Sequence, residues 1–258
     1  SPDDVESAKQ AFSCFEPFDR RGENYAISSA YYGENCTEEV IKVLIDLQKK
    51  RKSYPKEQEG DFNLEVNSLV MLDAERYYRA MATGGAEDWN IRDTHMVSAL
   101  EKVGHAHGEG AKSIIWEHNT HIGDARATDM ADEGMINVGQ ILREKYGQDV
   151  YAIGFGTHHG TVIASDQWGG SVHVMDVPEA QAGSWEDALQ QAGAFDKYIL
   201  FNQENERDFD RALGHRAIGV VYDPELEHLG NYVPSYVARR YDAFIFINET
   251  KALSPIFL

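Results

Sequence analysis

The chain contains only two cysteines, Cys14 and Cys36, in 258 residues. Their positions do not fit the C-x-x-C spacing of redox motifs and zinc sites. Disulfides persist mainly in oxidising compartments. Two isolated cysteines therefore predict free thiols in a reducing compartment, and we expect a cytoplasmic protein.

Long apolar runs and positive charge are also scarce. No run approaches the roughly 20 apolar residues of a membrane helix, so a membrane is not expected as a partner. The 24 basic residues are outnumbered by 43 acidic ones, which gives a net charge of -19. Because this charge repels a phosphate backbone, nucleic acid is not expected as a partner. The first residues, SPDDVESAKQ, lack the apolar core of a signal peptide.

Two common sequence motifs are missing as well. No G-x-S-x-G elbow occurs, which disfavours a hydrolase with a serine nucleophile. Gly154 and Gly156 have no third glycine placed before a helix, so they do not form a dinucleotide-binding fingerprint. The apolar content of 42% is nevertheless enough for a hydrophobic core in one large domain or two small ones.

Helical periodicity dominates residues 1–108. Thr37 is placed to cap a helix that ends in the basic run at 49–52. A second helix is predicted over 62–82, and a third starts near Asn90.

Residues 109–258 alternate short β-rich runs with helices, and they carry the sequence HNTH at 118–121. Such alternation is typical of a parallel sheet covered by helices. We therefore expect an α/β fold, with a largely parallel sheet flanked by helices and a helical N-terminal region. The predicted strands are 113–116, 150–155, 172–177, 198–201, 217–222 and 243–247, and the predicted helices are 125–146 and 184–192.

The most polar segment of this portion is SIIWEHNTHIGDARATDM, in which an apolar run leads into His118 and His121. A glycine then turns the chain towards a helix-prone stretch. In open α/β sheets, ligands bind at the carboxyl ends of strands, where the next helix offers free N–H groups. We therefore expect one site that combines the two imidazoles with the side chains of Asn119, Asp124 and Arg126.

This segment and five further blocks resemble the second half of the erythromycin esterase family. The blocks follow the family's order from about Cys14 to the end of the chain, and a match of this length is far more specific than a lone HxxH. The resemblance implies a three-layer α/β architecture and an esterase without a cofactor. The blocks are WEHNTHIGDARATDM, GMINVGQILRE, IGFGTHHGTV, WNIRDTHM, HRAIGVVYDPELE and YVPSYVARRYDAFIFINET.

The upstream half of the family carries a GExxHG-type loop, whose histidine is the presumed general base, and a glutamate on a following strand. Neither feature occurs in this sequence. The resemblance therefore implies that the chain is a C-terminal part of a longer enzyme. We expect the N-terminal half of the same protein to be the partner that completes the catalytic site.

Three interpretations of His118 and His121 are open. Both could be structural, as donors to backbone groups at a strand end. Both could be catalytic, because a neutral imidazole shuttles protons, an imidazolium stabilises an oxyanion, and ester hydrolysis requires both. The resemblance places the pair in the active-site cleft, with His118 as the first candidate and His121 as the second. A zinc site is the weaker interpretation, since zinc needs further ligands such as Asp124.

A second polar cluster lies at residues 89–96. Asn90 with Asp93 three residues later resembles a capping box, but this leaves Arg92 and His95 unexplained. The resemblance implies an Arg-Asp pair that faces the cleft. Arg92 is therefore expected to hold a carboxylate or polarise an ester carbonyl. Asp93 is either a helix cap or a residue that orients the arginine.

Asp124 and Arg126 have a structural interpretation, as a carboxylate at a helix N-terminus and a surface arginine. Their functional interpretation is that Arg126 orients a carboxylate of the upstream half. His158 and His159 follow a strand, and adjacent residues of an extended segment point to opposite faces. At most one of these two histidines is therefore expected to address a given site, and His159 is kept as a candidate for orienting the substrate.

Together these features predict a hydrolase that opens an ester or a macrolide lactone by histidine-assisted attack of water, incomplete in this chain. A macrolide, the substrate in antibiotic resistance, is only one candidate. Family membership does not fix the substrate, because variable loops build the cleft. Two alternatives stay open. One is a non-catalytic binding module related to exopolysaccharide biosynthesis, and the other is a metal-dependent hydrolase.

Overall fold

The computed structural model describes residues 2–19, 21–33, 35–51 and 58–254. The chain divides into two compact units, Ser1–Ile114 and Ile115–Leu258. The first unit is helical, and its elements are α1 (Pro2–Phe12), a 3-10 helix (Ser13–Phe18), α2 (Gly22–Tyr32), α3 (Thr37–Arg51), α4 (Gln58–Met81) and α5 (Glu87–His107).

In the first unit, α4 packs against α2, α3 and α5. Glu75 of α4 is buried and connects these helices, because the hydroxyl groups of Tyr25 and Thr37 donate to its Oε1 at 2.7 and 2.9 Å. Arg79 lies 3.3 Å from the same oxygen. A buried carboxylate requires such partners. The prediction of a helical N-terminal region is confirmed.

The observed bounds of α4 and α3 can be compared with their predicted bounds. Helix α4 begins at Gln58, ahead of the predicted start at residue 62, and ends at Met81. Helix α3 begins at Thr37 as predicted and is described up to Arg51. Lys52, the last residue of the basic run that was predicted to end α3, lies outside the described residues.

Helix α5 begins earlier than the sequence predicted. Its N-cap is Ala86 and its first residue is Glu87, so Asn90 and Asp93 lie inside the helix. The predicted capping box at these two residues is therefore wrong. Acidic side chains in the first turn at 87 and 88 favour the earlier start, because they interact well with the N-terminal end of the helix dipole.

The two cysteines are not free thiols. Cys14 and Cys36 form a disulfide whose Cα atoms lie 5.9 Å apart, and it joins the 3-10 helix to the residues that precede α3. Sequence spacing gave no sign of this pair, because helix packing brings the two residues together. The prediction of free thiols is wrong, and the argument for a reducing cytoplasmic compartment loses its basis.

The second unit contains a four-stranded sheet in the order β2-β1-β6-β3 and a two-stranded sheet of β4 and β5. Its strands are β1 (Ile153–Ala164), β2 (His173–Val177), β3 (Lys197–Leu200), β4 (Leu213–Arg216), β5 (Tyr232–Ser235) and β6 (Ala243–Thr250). Its helices are α6 (Asn119–Ile122), α7 (Val138–Tyr146), α8 (Trp185–Gln191), α9 (Glu227–Gly230) and α10 (Val237–Arg240).

The α/β prediction is confirmed, but the sheet is mixed rather than largely parallel. Strand β1 pairs with β6 in parallel, whereas the β1–β2 and β3–β6 pairs are antiparallel. The short connection between β1 and β2 accounts for one antiparallel pair, since a parallel neighbour needs a longer crossover.

The strand predicted at 150–155 is observed as β1, which starts at Ile153 and continues to Ala164. Three other predicted elements are absent, displaced or shortened. Residues 113–116 form no strand, and residues 217–222 contribute a single bridge, from Val221 to Ser165, while the strand lies earlier at β4. The helix predicted over 125–146 is reduced to α7, after two 3-10 turns at Ala125–Ala127 and Asp129–Ala131. The hydroxyl of Thr128 donates to the carbonyl of Ala125 at the end of the first turn and accepts from the N–H of Met130 at the start of the second, and such local bonds compete with the helical pattern.

The core of the second unit lies on one face of the four-stranded sheet. Phe244 and Phe246 of β6 are buried there against Trp185 and Leu189 of α8, together with Tyr241. Helix α8 and strand β4 meet on the same side of the sheet. Within the described residues, no helix has the length and apolar character needed to span a bilayer.

Candidate functional site

The sequence HNTH is held in place by short-range caps and by α7. The side chain of His118 accepts a hydrogen bond from the N–H of Thr120 and so caps α6. The Asn137 amide donates to the carbonyl oxygens of Thr120 and Gly123, at 2.7 and 2.5 Å. A glycine at 139 is required, because a Cβ there would overlap the backbone of Ile122. Helix α6 therefore sits directly on α7.

Both ring nitrogens of His118 are occupied. Nδ1 lies 2.9 Å from the hydroxyl of Thr120, and Nε2 lies 2.8 Å from the carbonyl oxygen of Ile218. Since a carbonyl only accepts, Nε2 carries the proton. The residue is exposed as a whole, but its nitrogens lie among protein atoms, and this desolvation lowers the pKa of His118. Nearby His121 and Arg240 also disfavour a positive charge on the ring.

Asn119 lies at the centre of the site, between the two histidines of α6. Its Oδ1 accepts from the N–H of Phe155 at 3.1 Å, and its Nδ2 donates to the carbonyl oxygen of the same residue at 2.6 Å. Nδ2 also lies 3.3 Å from Nε2 of His215. His121 follows two residues later and is half-buried, with its N–H donating to the carbonyl of His118 at 2.9 Å.

Two buried residues stand behind Asn119. His215 of β4 and Glu186 of α8 are completely inaccessible, and Nδ1 of the histidine lies 2.6 Å from Oε1 of the glutamate. The same oxygen accepts from the N–H of Arg216 at 3.2 Å. The His215 ring packs edge-on against Tyr241 and Phe244. Sequence analysis assigned no role to either residue.

A buried arginine completes the cluster. Arg240 of α10 is 2% exposed, and it donates to the hydroxyl of Ser235 at 2.7 Å and to the carbonyl oxygen of Asn119 at 3.0 Å. Its Nε has no hydrogen-bond partner among the described residues. The site therefore combines imidazole rings, an amide and a guanidinium within one part of the second unit.

Asp124 and Arg126, which were predicted as site residues, bind each other. Both carboxylate oxygens accept from the guanidinium, at 3.0 and 2.6 Å, and Oδ1 also accepts the N–H of Arg126. Glu144 lies 3.3 Å from the same guanidinium. These contacts raise the pKa of Arg126, chiefly through the Asp124 hydrogen bond. They match the structural interpretation, and orientation of a substrate by either residue stays a prediction.

His158 and His159 meet each other, contrary to the expectation that they face opposite sides. Their Nδ1 atoms lie 3.0 Å apart, and their rings stand at 83°. Nδ1 is the ring nitrogen nearer the backbone, so two neighbouring side chains can join these atoms at the strand. Burial lowers the pKa of His158, and the neighbouring His159 adds to this effect.

Arg92 and Asp93 lie on α5 in the first unit. Asp93 is fully buried, its Oδ1 is 3.8 Å from Nε of Arg92, and the guanidinium lies over the ring of Trp89. A cleft of about 420 Å³ is lined by residues of α4 and α5, and His95 contacts Asp73 there at 3.0 Å. The cleft is lined by Asp73, Arg76, Glu87, Asn90, Ile91, Thr94 and His95.

Buried charge is the main feature that sequence analysis missed. Besides Glu186 and His215, Arg216 donates to Glu227 and to three backbone carbonyls, including that of Thr157. The sequence did hint at buried basic residues, because His215 and Arg216 are adjacent in one of the six blocks that resemble the family. For a zinc site, no suitable group of three or more His, Cys, Asp or Glu occurs in the described part of the chain.

These features define an α/β protein with a helical N-terminal unit and a histidine-rich polar site at strand β1. A model of the erythromycin esterase family matches residues 1–250, and the chain belongs to that family. The resemblance seen in the six sequence blocks is confirmed.

Three solved structures share the fold. A Bacillus cereus protein has a TM-score of 0.77 at 14% identity, covering 97% of this chain and 59% of its own. A succinoglycan biosynthesis protein has a TM-score of 0.74 at 14% identity, with 97% and 58% covered. A histidine-to-asparagine mutant of the erythromycin esterase EreC, in its open conformation, has a TM-score of 0.56 at 15% identity, with 95% and 60% covered. The chain thus spans less than two thirds of each.

Proposed function

We propose that this chain is part of a hydrolase that opens a carboxylic ester or lactone with activated water. The observation that supports this most is the arrangement around Asn119. His118 and His121 flank it, the buried His215 lies 3.3 Å from its amide, and Arg240 donates to its carbonyl oxygen. Such groups provide proton transfer and stabilise negative charge, and ester hydrolysis needs both.

In this proposal, His121 and His118 pass the proton or stabilise the oxyanion. The Nε2 proton of His118 is held by the carbonyl of Ile218, so this hydrogen bond has to break before His118 can act as an acid. Desolvation lowers the pKa of His118 and so favours the neutral ring, the form that can pass a proton on. Arg92, on α5 of the first unit, is kept as a candidate of its own for polarising an ester carbonyl, with Asp93 orienting it.

The rest of the proposed site orients the substrate and comes partly from outside this chain. Asn119, His159 and the Asp124–Arg126 pair are the orienting residues. The general base is supplied by an upstream half of the same protein, and no metal or other cofactor takes part. The substrate is a small ester or lactone, of which a macrolide is one example.

The test uses the longest natural form of the protein with p-nitrophenyl esters and macrolides as substrates. His121→Asn and His118→Asn are each expected to lower kcat by about a hundredfold, the scale of general acid–base catalysis. His173→Asn is the control, because His173 is exposed on β2. Unchanged hydrolysis in both site variants, or no hydrolysis by the unaltered protein, would contradict the proposal.

A second candidate is a non-catalytic role in exopolysaccharide biosynthesis. It is favoured by the TM-score of 0.74 to the succinoglycan biosynthesis protein, against 0.56 to the EreC esterase. On this account the long form binds exopolysaccharide fragments in calorimetry and hydrolyses no ester. A metal-dependent hydrolase is distinguished from both by loss of its activity with a chelator and its return with zinc.

A further inference from the structure

Glu186 and His215 form a pair that is buried behind Asn119, and no step of the proposed reaction has been assigned to either residue. Both side chains are 0% exposed, and they join α8 to β4 through a 2.6 Å contact. The His215 ring contacts the site through one atom. Its Nε2 lies 3.3 Å from Nδ2 of Asn119.

The donors around Asn119 allow one arrangement of protons. The N–H of Phe155 donates to Oδ1, so the opposite end of the amide is the NH2 group, which donates to the Phe155 carbonyl and faces His215. A nitrogen that faces a donor has to accept, and it therefore carries no proton. In this arrangement the proton of His215 lies on Nδ1 and is donated to Glu186.

The pair leaves one polar atom without a partner. Oε2 of Glu186 is buried and has no hydrogen bond among the described residues, whereas Oε1 accepts from both His215 and the Arg216 N–H. An unsatisfied buried carboxylate oxygen costs free energy. The nearby carboxylate of Glu227 is different, since its oxygens accept from Arg216, Tyr222 and Tyr232. The contacts of Glu186 are therefore concentrated on one oxygen, which holds both the His215 ring and the Arg216 N–H.

We propose that Glu186 and His215 are positioning residues that fix the amide of Asn119 and thereby the placement of His118 and His121. Glu186 selects the tautomer of His215, and the bare Nε2 selects the orientation of the amide. The amide then anchors the start of α6 to strand β1. This inference rests on the proposed hydrolase function for its kinetic consequence, but the protonation pattern can be measured without activity.

The first test measures the tautomer by NMR of the protein labelled with 15N-histidine. The signals of His215 are assigned by their loss in His215→Phe. We expect a protonated Nδ1 and an unprotonated Nε2 at neutral pH. In Asn119→Asp the new carboxylate is an acceptor, so a second proton is expected on Nε2. A proton on Nε2 of the unaltered protein would overturn the inference.

The second test compares Glu186→Ala with Glu186→Gln in the longest natural form. The alanine variant is expected to lower kcat about tenfold or more with little change in KM, the size seen when supporting residues are removed. The glutamine variant keeps an acceptor for Nδ1 and is expected to restore most of that loss. Equal defects in both variants, or an unchanged kcat in the alanine variant, would overturn it.

The two proposals fail in different ways. If the unaltered long protein hydrolyses no ester, the proposed function is wrong, and the NMR result alone decides whether the pair holds Asn119. If the protein hydrolyses esters and the two Glu186 variants behave alike, the function stands and the positioning role is lost.

Discussion

The imidazole of His118 donates to the carbonyl oxygen of Ile218, 2.8 Å away and 100 residues further along the chain. The same ring accepts from the N–H of Thr120, in the first turn of α6. His118 therefore connects the start of α6 to the segment after β4. A residue expected to do chemistry is also a structural link.

Replacing His118 by leucine should destabilise the protein. The change removes one long-range and one capping hydrogen bond, and each is worth about 1 kcal/mol. We expect the free energy of unfolding in urea to fall by about 1 to 2 kcal/mol, with the slope unchanged. His173→Leu on the exposed strand β2 serves as the control. Equal stability of the two variants would show that the Ile218 contact is absent in solution.

Acid should destabilise the protein through His158. Burial and the neighbouring His159 hold the pKa of His158 below its ordinary value of 6.5, so the folded state binds this proton less readily than the unfolded state. The stabilisation is complete above 6.5 and is lost as the pH falls towards the lower folded pKa. Glu179 and Asp187 oppose this shift, whereas Arg216 adds to it.

The measurement is the urea midpoint at about pH 7.5 and about pH 5.5. The unaltered protein should lose stability at the lower pH, and His158→Asn should lose less. Because His118 shifts in the same direction, the double variant His118→Asn, His158→Asn should have the flattest profile. A slope that is the same in all three proteins would refute the assignment to these histidines.

Two glycine substitutions in helices should have opposite effects. Gly139→Ala places a Cβ against the backbone of Ile122 and should destabilise the protein by about 1 to 3 kcal/mol. Gly104→Ala, inside α5, meets nothing within 4 Å and should stabilise it by about 0.5 to 1 kcal/mol. Thermal unfolding of the two variants checks the direct contact of α6 with α7, which is wrong if Gly139→Ala behaves like Gly104→Ala.

The disulfide predicts that purified protein has no reactive thiol. Cys14 and Cys36 enclose a segment with a sequence separation of 22 residues, and removal of such a crosslink costs about 3 kcal/mol. Alkylation under denaturing conditions should add no mass before reduction and two groups after it. The Cys14→Ser, Cys36→Ser variant should unfold at lower urea. Two alkylated cysteines before reduction would restore the original prediction of free thiols.

Helices and strands could be predicted from the sequence where their apolar and capping residues lie close together in the chain. Strand β6 and helix α8 were predicted close to their observed bounds, because their apolar content and caps lie within a few residues. The strand predicted at 113–116 failed for a different reason. Ile114 and Trp116 are 97% and 85% exposed, and an apolar run forms a strand only where a neighbour pairs with it. No local pattern reports such a neighbour.

The candidate site was predicted in the same uneven way. His118, Asn119 and His121 were found because they are adjacent in sequence and match a family block. Glu186 and His215 were missed because they are 29 residues apart, on a helix and a strand. A single acidic residue in a helix is usually exposed, and only tertiary packing shows that Glu186 is buried.

The pairing of Asn119 with Phe155 also bears on aggregation. The side chain satisfies the N–H and carbonyl of a strand residue, as a neighbouring backbone would, and Arg216 occupies the carbonyl of Thr157 two residues on. Open strand edges recruit other chains. The amide and the guanidinium thus occupy backbone groups of β1 that could otherwise pair with another chain. Loss of Asn119 is therefore expected to promote aggregation as well as to disturb the site.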